Sequence, residues 1–238
     1  MGAGALPLSP PSESSIYDTD KEKSLHAPRN PTWISIAEEC AEEGVGVSMF
    51  LAPNKYMDTG SVAIVANLTG GEIFWHPRFV ADRDAALVQA QLARLVGRMQ
   101  GFNCMVRVRC SQGKPPFLLE KKIPSPSLFL PSGLQVKKHY GAFSQSTPTE
   151  LTFAQLSSDS AFSVELEHTR TLSPRAYAYL QCATLYTSVS GERRVRVINL
   201  ALNVVELAGS VFQYADLDTV VVHFAKEGAL CYKCNAHD

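Results

Sequence analysis

The sequence lacks long hydrophobic runs and an excess of charge of either sign. Its longest apolar stretches, residues 45–52 and 62–66, fall far short of the roughly 20 residues that a membrane-spanning helix needs. Residues 2–13 have too little sustained hydrophobicity for a secretory signal. The 22 basic and 23 acidic side chains leave a net charge of -1, whereas a general nucleic-acid binder carries a basic excess. We therefore expect a soluble globular chain that neither spans a membrane nor binds nucleic acid.

Sequence signals for catalysis are missing as well. There is no Gly-x-Ser-x-Gly elbow, and the six histidines show no spacing that singles out a general base. The Glu38-Glu39 pair fits a solvated helix face better than an acid–base site. Gly70-Gly71 lacks the Lys-Ser/Thr of a phosphate-binding loop and indicates a helix end instead. These patterns provide no candidate catalytic residue.

Cysteine is sparse, and its six copies form no dense framework, which predicts reduced intracellular thiols. Cys231 and Cys234 have the spacing of half a zinc site, with His237 three residues later. A structural zinc site needs four ligands, and the other cysteines fall within predicted elements far upstream. We therefore favour a terminal sequence without a metal over a zinc site.

The first 100 residues predict an extended arm followed by an α/β layer. Residues 1–29 contain four prolines and few large apolar side chains. Helices are predicted from Asn30 as a cap, over 56–68 with Asp58 as a cap, and from Asp82 onwards. Strands are predicted over 45–51, buried on both faces, and over 72–76. The third helix should cover a mainly parallel sheet with an apolar face formed by Val88, Leu92, Leu95, Val96 and Met99.

The remainder predicts antiparallel β-structure and then helices. Apolar residues alternate with polar ones over 102–110, and further strand patterns occupy 135–143, 162–168, 177–189 and 193–200. The last two strands should form a hairpin across residues 190–192. Helical periodicity returns after residue 203, with a second helix from Asp218. Residues 114–132 hold five of the chain's 14 prolines between two strands, which is unusual for a hairpin connection.

Arg107 and Arg109 are the main candidates for a binding site. They share one face of a strand whose other face is apolar, and three more arginines open a later strand at 193–196. Forked guanidinium groups held on a rigid strand suit bidentate capture of a carboxylate. The alternative is an ordinary solvated sheet face with structural ion pairs.

Several segments, in order, resemble one known family. They are TDKEKSL at 19–25, GVGVSMFLAPNKYMD at 44–58, LTGGEIF at 68–74, MVRVRCSQG at 105–113 and ATLYTSVSGERRVRVINLAL at 183–202. Together they closely resemble the cargo-binding subunits of the inner COPII vesicle coat, and differ from the coat's GTPase-activating paralogue around the TGG stretch.

The resemblance implies an α+β multidomain fold. It divides the chain into an extended arm (1–29), the C-terminal half of a von Willebrand-A-like α/β trunk (30–100), an antiparallel β-sandwich (101–203) and the start of an α-helical domain (204–238). The sandwich would carry the Pro-rich stretch 114–132 as an atypical insertion. The family's zinc domain would precede residue 1, so no cofactor is expected.

The resemblance also implies a non-enzymatic coat component that selects cargo for vesicles moving from the endoplasmic reticulum to the Golgi. Its partners would be the GTPase-activating paralogue as a heterodimer, a Sar-type small GTPase, and the cytosolic tails of cargo and SNARE proteins. It would be cytoplasmic and peripheral on endoplasmic-reticulum membrane and COPII vesicles. Arg107 and Arg109 match the family's pocket for acidic sorting signals, and Leu185 would supply an apolar contact.

Two departures from the family pattern keep alternatives open. Residues 114–132 interrupt a normally direct run, and the tail 228–238 does not fit the family's continuing helix. We hypothesise that the interruption is a translated non-coding stretch, which sequencing the transcript would decide. The alternatives are a truncated product without activity of its own, a generic β-sandwich interaction module, a zinc module at Cys231 and Cys234, and an α/β enzyme whose acid–base pair escapes detection.

Overall fold

The computed structural model describes residues 18–19, 21–22, 27–28, 30–55, 57–112, 133–174 and 177–234. Over these residues an α/β half is followed by an antiparallel β half and two helices, which confirms the α+β prediction. Most of the expected arm 1–29 and the whole insertion 114–132 lie outside the described residues. So do the side chains of Cys231 and Cys234, which the zinc alternative concerns.

The first helix, α1, spans Thr32–Glu42. The Asn30 side chain accepts a hydrogen bond from the Thr32 backbone N–H at 2.9 Å, so this residue caps the helix as predicted, although Pro31 occupies the boundary position. Trp33, Ala37 and Ala41 follow one another at four-residue spacing and are all buried. They form the apolar face of α1 that packs on α2.

The second helix, α2, spans Thr59–Thr69 and begins at the predicted cap. Asp58 accepts hydrogen bonds from the Ser61 backbone N–H at 3.1 Å and from the Ser61 hydroxyl at 2.7 Å. Val62 and Val65 pack against Trp33 and Ala37 in the core of this half. Gly70 ends the helix with a left-handed φ of 75°, a conformation that glycine adopts without a steric penalty.

The two strands of the α/β half are shorter than predicted. Strands β1 (Met49–Leu51) and β2 (Ile73–Trp75) pair in parallel and are only partly buried. The expected strand over 45–51 is wrong in its first half because side chains replace a neighbouring strand there. The Val47 N–H donates to the Thr69 hydroxyl at 3.1 Å, and the Ser48 hydroxyl accepts from the Glu72 N–H at 3.2 Å.

The third helix, α3, spans Ala81–Gly97 and has no buried residue. The prediction that its apolar face covers a sheet is therefore wrong, since Leu92, Val96 and Met99 are exposed and Val88 and Leu95 only partly buried. A sheet of two three-residue strands offers too small a surface to cover a 17-residue helix. The helix contacts the following β half through charged side chains instead.

The β half contains a five-stranded antiparallel sheet with the strand order β5-β6-β3-β8-β9. Its strands are β3 (Gln100–Gln112), β5 (Ser144–Thr147), β6 (Glu150–Ser157), β8 (Tyr177–Ser188) and β9 (Arg193–Asn203). The hairpin between β8 and β9 forms at the predicted place, and Gly191 adopts φ 84° in its turn.

A smaller sheet completes the sandwich. Strands β4 (Leu134–Tyr140) and β7 (Ser163–His168) pair antiparallel. Phe143 and Phe162, just beyond these strands, pack on Cys104, Val106 and Phe153 of the larger sheet. The alternation of strand β3 thus sends one face into the core and leaves the other outward.

Strands β5 and β6 escaped the sequence prediction, although β6 supplies Leu151 and Phe153 to the core. The alternation of β6 lasts only from Glu150 to Phe153 before Ala154 is buried in the opposite phase. This short periodicity explains why the pattern was not recognised. The turn before β6 contains Pro148 and Thr149, a signal that could have indicated a hairpin.

Two helices follow the sheet, α4 (Ala208–Phe212) and α5 (Leu217–Cys234). Helix α5 begins one residue before the predicted Asp218. It contacts the smaller sheet through the rings of His223 and Tyr140, whose centroids lie 5.2 Å apart, and through Lys226, which donates to the Ala161 carbonyl at 2.9 Å. No helix in the described ranges is long and apolar enough to cross a membrane.

Candidate functional site

The larger sheet brings the three predicted site residues to one surface. Arg107 pairs with Ala183 and Arg109 with Gln181, whereas Leu185 pairs with Met105. Paired residues of antiparallel strands point to the same side, so all three predicted side chains lie on the face opposite the core. Leu185 is a diagonal neighbour of Arg107 across strands β3 and β8, a relation that places Cα atoms about 7–8 Å apart.

Strand β9 extends this face with apolar side chains that sequence reasoning missed. Val195 pairs with Leu185 and Val197 with Ala183, and Val195 is 66% exposed. The hairpin register after Gly191 could have revealed both valines, because it fixes which residues of β8 and β9 are opposite each other. We define the open sheet face by Met105, Arg107, Arg109, Leu185, Val195 and Val197.

The two arginines of the open sheet face differ in their surroundings. Arg107 forms an ion pair with Glu150, the first residue of β6, and the two side chains are 38% and 22% exposed. Arg109 is exposed and, within the described ranges, forms no ion pair. The face therefore presents one guanidinium that is already paired and one that is open to a ligand, about 7 Å apart along the strand.

Two of the three arginines at the start of β9 are engaged in local contacts. Arg193 faces the same side as Val195 and donates to the Asn103 carbonyl at 2.5 Å and to the Thr187 hydroxyl at 2.9 Å. Arg194 forms an ion pair with Glu192 within the hairpin turn. Because Arg193 and Arg194 contact residues of the hairpin and of β3, they stabilise the hairpin and its pairing with β3.

A separate cavity of about 430 Å³ lies where α3 meets the turn after β6. Arg94 donates to the Asp159 carboxylate at 2.9 Å, and Arg98 contacts both Asp159 and Glu72. The Arg98 side chain is only 8% exposed, and its Nε has no hydrogen-bond partner in the part of the chain that the structure describes. Sequence reasoning did not anticipate this cluster, whose members are distant along the chain.

In the part of the chain that the structure describes, cysteine and metal chemistry offer no second candidate. Burial raises the pKa of the Cys104 thiol to about 11 and also raises the pKa values of Cys110 and Cys182, so these thiols stay protonated at neutral pH. Within the described ranges, no three His, Cys, Asp or Glu residues are grouped so that they could hold a metal ion. The open sheet face remains the surface with the clearest ligand chemistry.

Two family models match the chain in succession. The model described as the Sec23/Sec24 trunk domain matches residues 1–96. The model described as the Sec23/Sec24 beta-sandwich domain matches residues 126–205. The first region includes α1, α2 and all of α3 except its last residue, and the second includes every described strand of the β half except β3.

Relatives in distant organisms cover nearly the whole chain. Human protein transport protein Sec24C is 33% identical over 211 residues, which cover 89% of this chain and 18% of that protein. Protein transport protein SEC24 B of Arabidopsis thaliana is 32% identical over 232 residues, which cover 96% of this chain and 19% of that protein.

A solved structure agrees with these relatives. The crystal structure of the human COPII-coat protein Sec24c superposes with a TM-score of 0.81 at 32% identity, covering 94% of this chain and 28% of that one. The chain spans about a fifth of the length of the curated relatives it matches. From the succession of trunk and sandwich, at about 30% identity throughout, it follows that the chain belongs to the Sec23/Sec24 family.

Proposed function

We propose that this chain is a non-enzymatic COPII coat component that binds short acidic sorting signals of cargo proteins. Its relatives are named as protein transport proteins, and the matching solved structure is named as a COPII-coat protein. These names support a role in the coat, whereas the proposal of signal binding depends on the open sheet face.

One observation carries the proposal: two arginines and an apolar strip share the open sheet face. A peptide carboxylate can form bidentate hydrogen bonds with a guanidinium, and an apolar side chain of the same peptide can cover Leu185 and Val195. The strands are held by extensive backbone pairing, so the guanidinium groups are mounted on a rigid support. A rigid support limits the conformational entropy lost on binding.

The remaining expectations from the resemblance belong to this proposal. The partners would be the GTPase-activating paralogue, a Sar-type small GTPase, and the cytosolic tails of cargo and SNARE proteins. The protein would be cytoplasmic and peripheral on endoplasmic-reticulum membrane and COPII vesicles. We propose domain boundaries after residues 29, 100 and 203, with 204–238 as the start of a helical domain.

The test is the binding of a fluorescent peptide that carries one leucine and two glutamates. Arg107→Ala and Arg109→Ala should each weaken binding at least about tenfold, because hydrogen bonds to charged groups contribute about 1.5–3 kcal/mol. Leu185→Ala should weaken binding less, through lost apolar contact. Fluorescence anisotropy measures all three effects.

Arg170→Ala is the matched control, because Arg170 is an exposed arginine after β7 and lies off the open sheet face. Its substitution removes the same charge and should leave binding unchanged. Equal weakening by Arg170→Ala and Arg107→Ala would reduce the effect to net charge and overturn the assignment of the site.

A further inference from the structure

We infer that Glu150 is a built-in competitor for the signal's carboxylate at Arg107 and reduces the advantage that a ligand with two carboxylates has over a ligand with one. This inference rests on the proposed function, since it concerns the same open sheet face. It assigns a specificity-determining role to a residue that sequence reasoning did not single out.

The strand register holds Glu150 beside Arg107. Val106 pairs with Leu151, so the next residue outward on each strand, Arg107 and Glu150, face each other on the side opposite the core. The Glu150 carboxylate contacts Nη2 of Arg107. An incoming carboxylate that approaches this nitrogen meets the Glu150 carboxylate, which already occupies the contact.

Glu150 is not needed to hold its own strand. Leu151 and Phe153 of β6 are buried in the sandwich core, and six backbone pairs join β6 to β3. Glu150 lies at the strand's first position, beside the turn that connects β5 to β6. Its side chain can therefore release Arg107 without unpairing the sheet.

The two arginines then differ in what a ligand must do to use them. A carboxylate can reach Arg109 directly, because this guanidinium is exposed and unpaired within the described ranges. A carboxylate can reach Arg107 only by displacing Glu150. A ligand with one carboxylate gains the first contact alone, whereas a ligand with two gains both when its second carboxylate replaces Glu150.

The experiment compares three peptides that share one leucine and carry two, one or no glutamates, with glutamine at the other positions. Glu150→Gln removes the competing charge and should tighten binding of the two-glutamate peptide roughly two- to fivefold, the scale of a partly exposed ion pair. The one-glutamate peptide should gain less, because its only carboxylate already binds Arg109. The gain should shrink at high salt, where exposed charges are screened within roughly 3–10 Å.

Two further variants separate pairing from charge. Glu150→Asp keeps the charge but shortens the side chain away from Arg107, so it should tighten binding in part if contact is what matters. Glu165→Gln removes a carboxylate that pairs with Lys137 on the smaller sheet and should leave peptide binding unchanged. Thermal melts of all variants check that the fold is retained.

The outcomes distinguish the inference from the proposed function. If the native chain binds acidic peptides through Arg107 and Arg109, but Glu150→Gln binds the two-glutamate peptide equally or more weakly, only the competitor role is overturned. If neither the native chain nor Glu150→Gln binds the acidic peptides better than the neutral one, both ideas are overturned. Tightening in both Glu150→Gln and Glu165→Gln would attribute the effect to net charge and also reject the competitor role.

Discussion

At the scale of single residues, both the local backbone and a contact with a distant strand require glycine at position 70. Its φ of 75° is left-handed, and a Cβ built on it would lie 2.4 Å from the backbone oxygen of Gln155 in strand β6. The residue thus ends α2 and also allows β6 to approach closely. Any side chain here must disturb either the helix end or the sheet.

We therefore expect Gly70→Ala to lower the free energy of unfolding by more than about 1 kcal/mol, because alanine is strained at positive φ and the oxygen it meets belongs to the backbone. Gly97→Ala is the matched control, since its added methyl group meets no atom within 4 Å in the described structure. The control should be neutral or stabilising by up to about 1 kcal/mol. Urea denaturation followed by circular dichroism measures both; equal effects would contradict the close approach.

At the scale of elements, ion pairs hold α3 to the β half, although the sequence predicted that a buried apolar face would hold it. Arg94 and Arg98 reach from its last turns to Asp159 in the turn after β6. The hydrogen bond from Arg94 is the main cause that lowers the pKa of Asp159 below its ordinary value of 3.8. The carboxylate therefore stabilises the folded state while it is ionised.

The sign of the pH effect follows from the direction of this shift. Because the folded pKa is lower than the unfolded one, the contribution of Asp159 is complete above its ordinary pKa and is lost as the pH falls through the lowered pKa. Asp159→Asn should lower the denaturation midpoint at neutral pH, and its difference from the native chain should vanish in strong acid. A difference that is the same at both pH values would contradict this role.

Hydrogen exchange tests whether the effect of Asp159→Asn is confined to α3. Asp159→Asn should speed exchange in α3 and leave α5 unchanged. Asp216→Asn should do the reverse, since Asp216 accepts from the Thr219 N–H at 3.1 Å at the start of α5.

At the scale of the whole molecule, apolar surface is exposed on both faces of the edge strand β9. Ile198, Leu200 and Leu202 lie in the phase that faces the sandwich interior, yet all three are exposed. Leu217, Val221 and Phe224 of α5 are exposed as well. An edge strand with two uncovered apolar faces favours association with other chains.

The 238-residue chain should therefore self-associate and unfold without a single sharp transition. Ile198→Lys should reduce the association, because a charge on the strand opposes edge-to-edge pairing. Thr219→Lys adds the same charge at an exposed position of α5, away from β9. It should reduce the association less. Sedimentation velocity over a range of concentrations measures both; a monomer with a two-state melt would refute the expectation.

The local features of the fold were predictable from sequence. The Asp58 cap, the Gly70 stop, and the alternation that turns Arg107 and Arg109 away from the core each depend on neighbouring residues alone. The competitor at Glu150 and the charged join at Asp159 were not predictable, because each pairs residues more than 40 positions apart. Strand β6, which positions Glu150 and Asp159, was missed because its alternation of buried and partly buried residues breaks at Ala154.

The sequence by itself determined the order of the helices and of every strand except β5 and β6, the outward face of β3 and the resemblance to a coat family, because short-range periodicity and motif order are properties of the chain itself. Only the tertiary structure decided that Arg107 is already paired with Glu150 and that α3 leaves its apolar face exposed. These outcomes depend on strand register and on which surfaces meet. Register and surface contact are set by packing across the whole molecule.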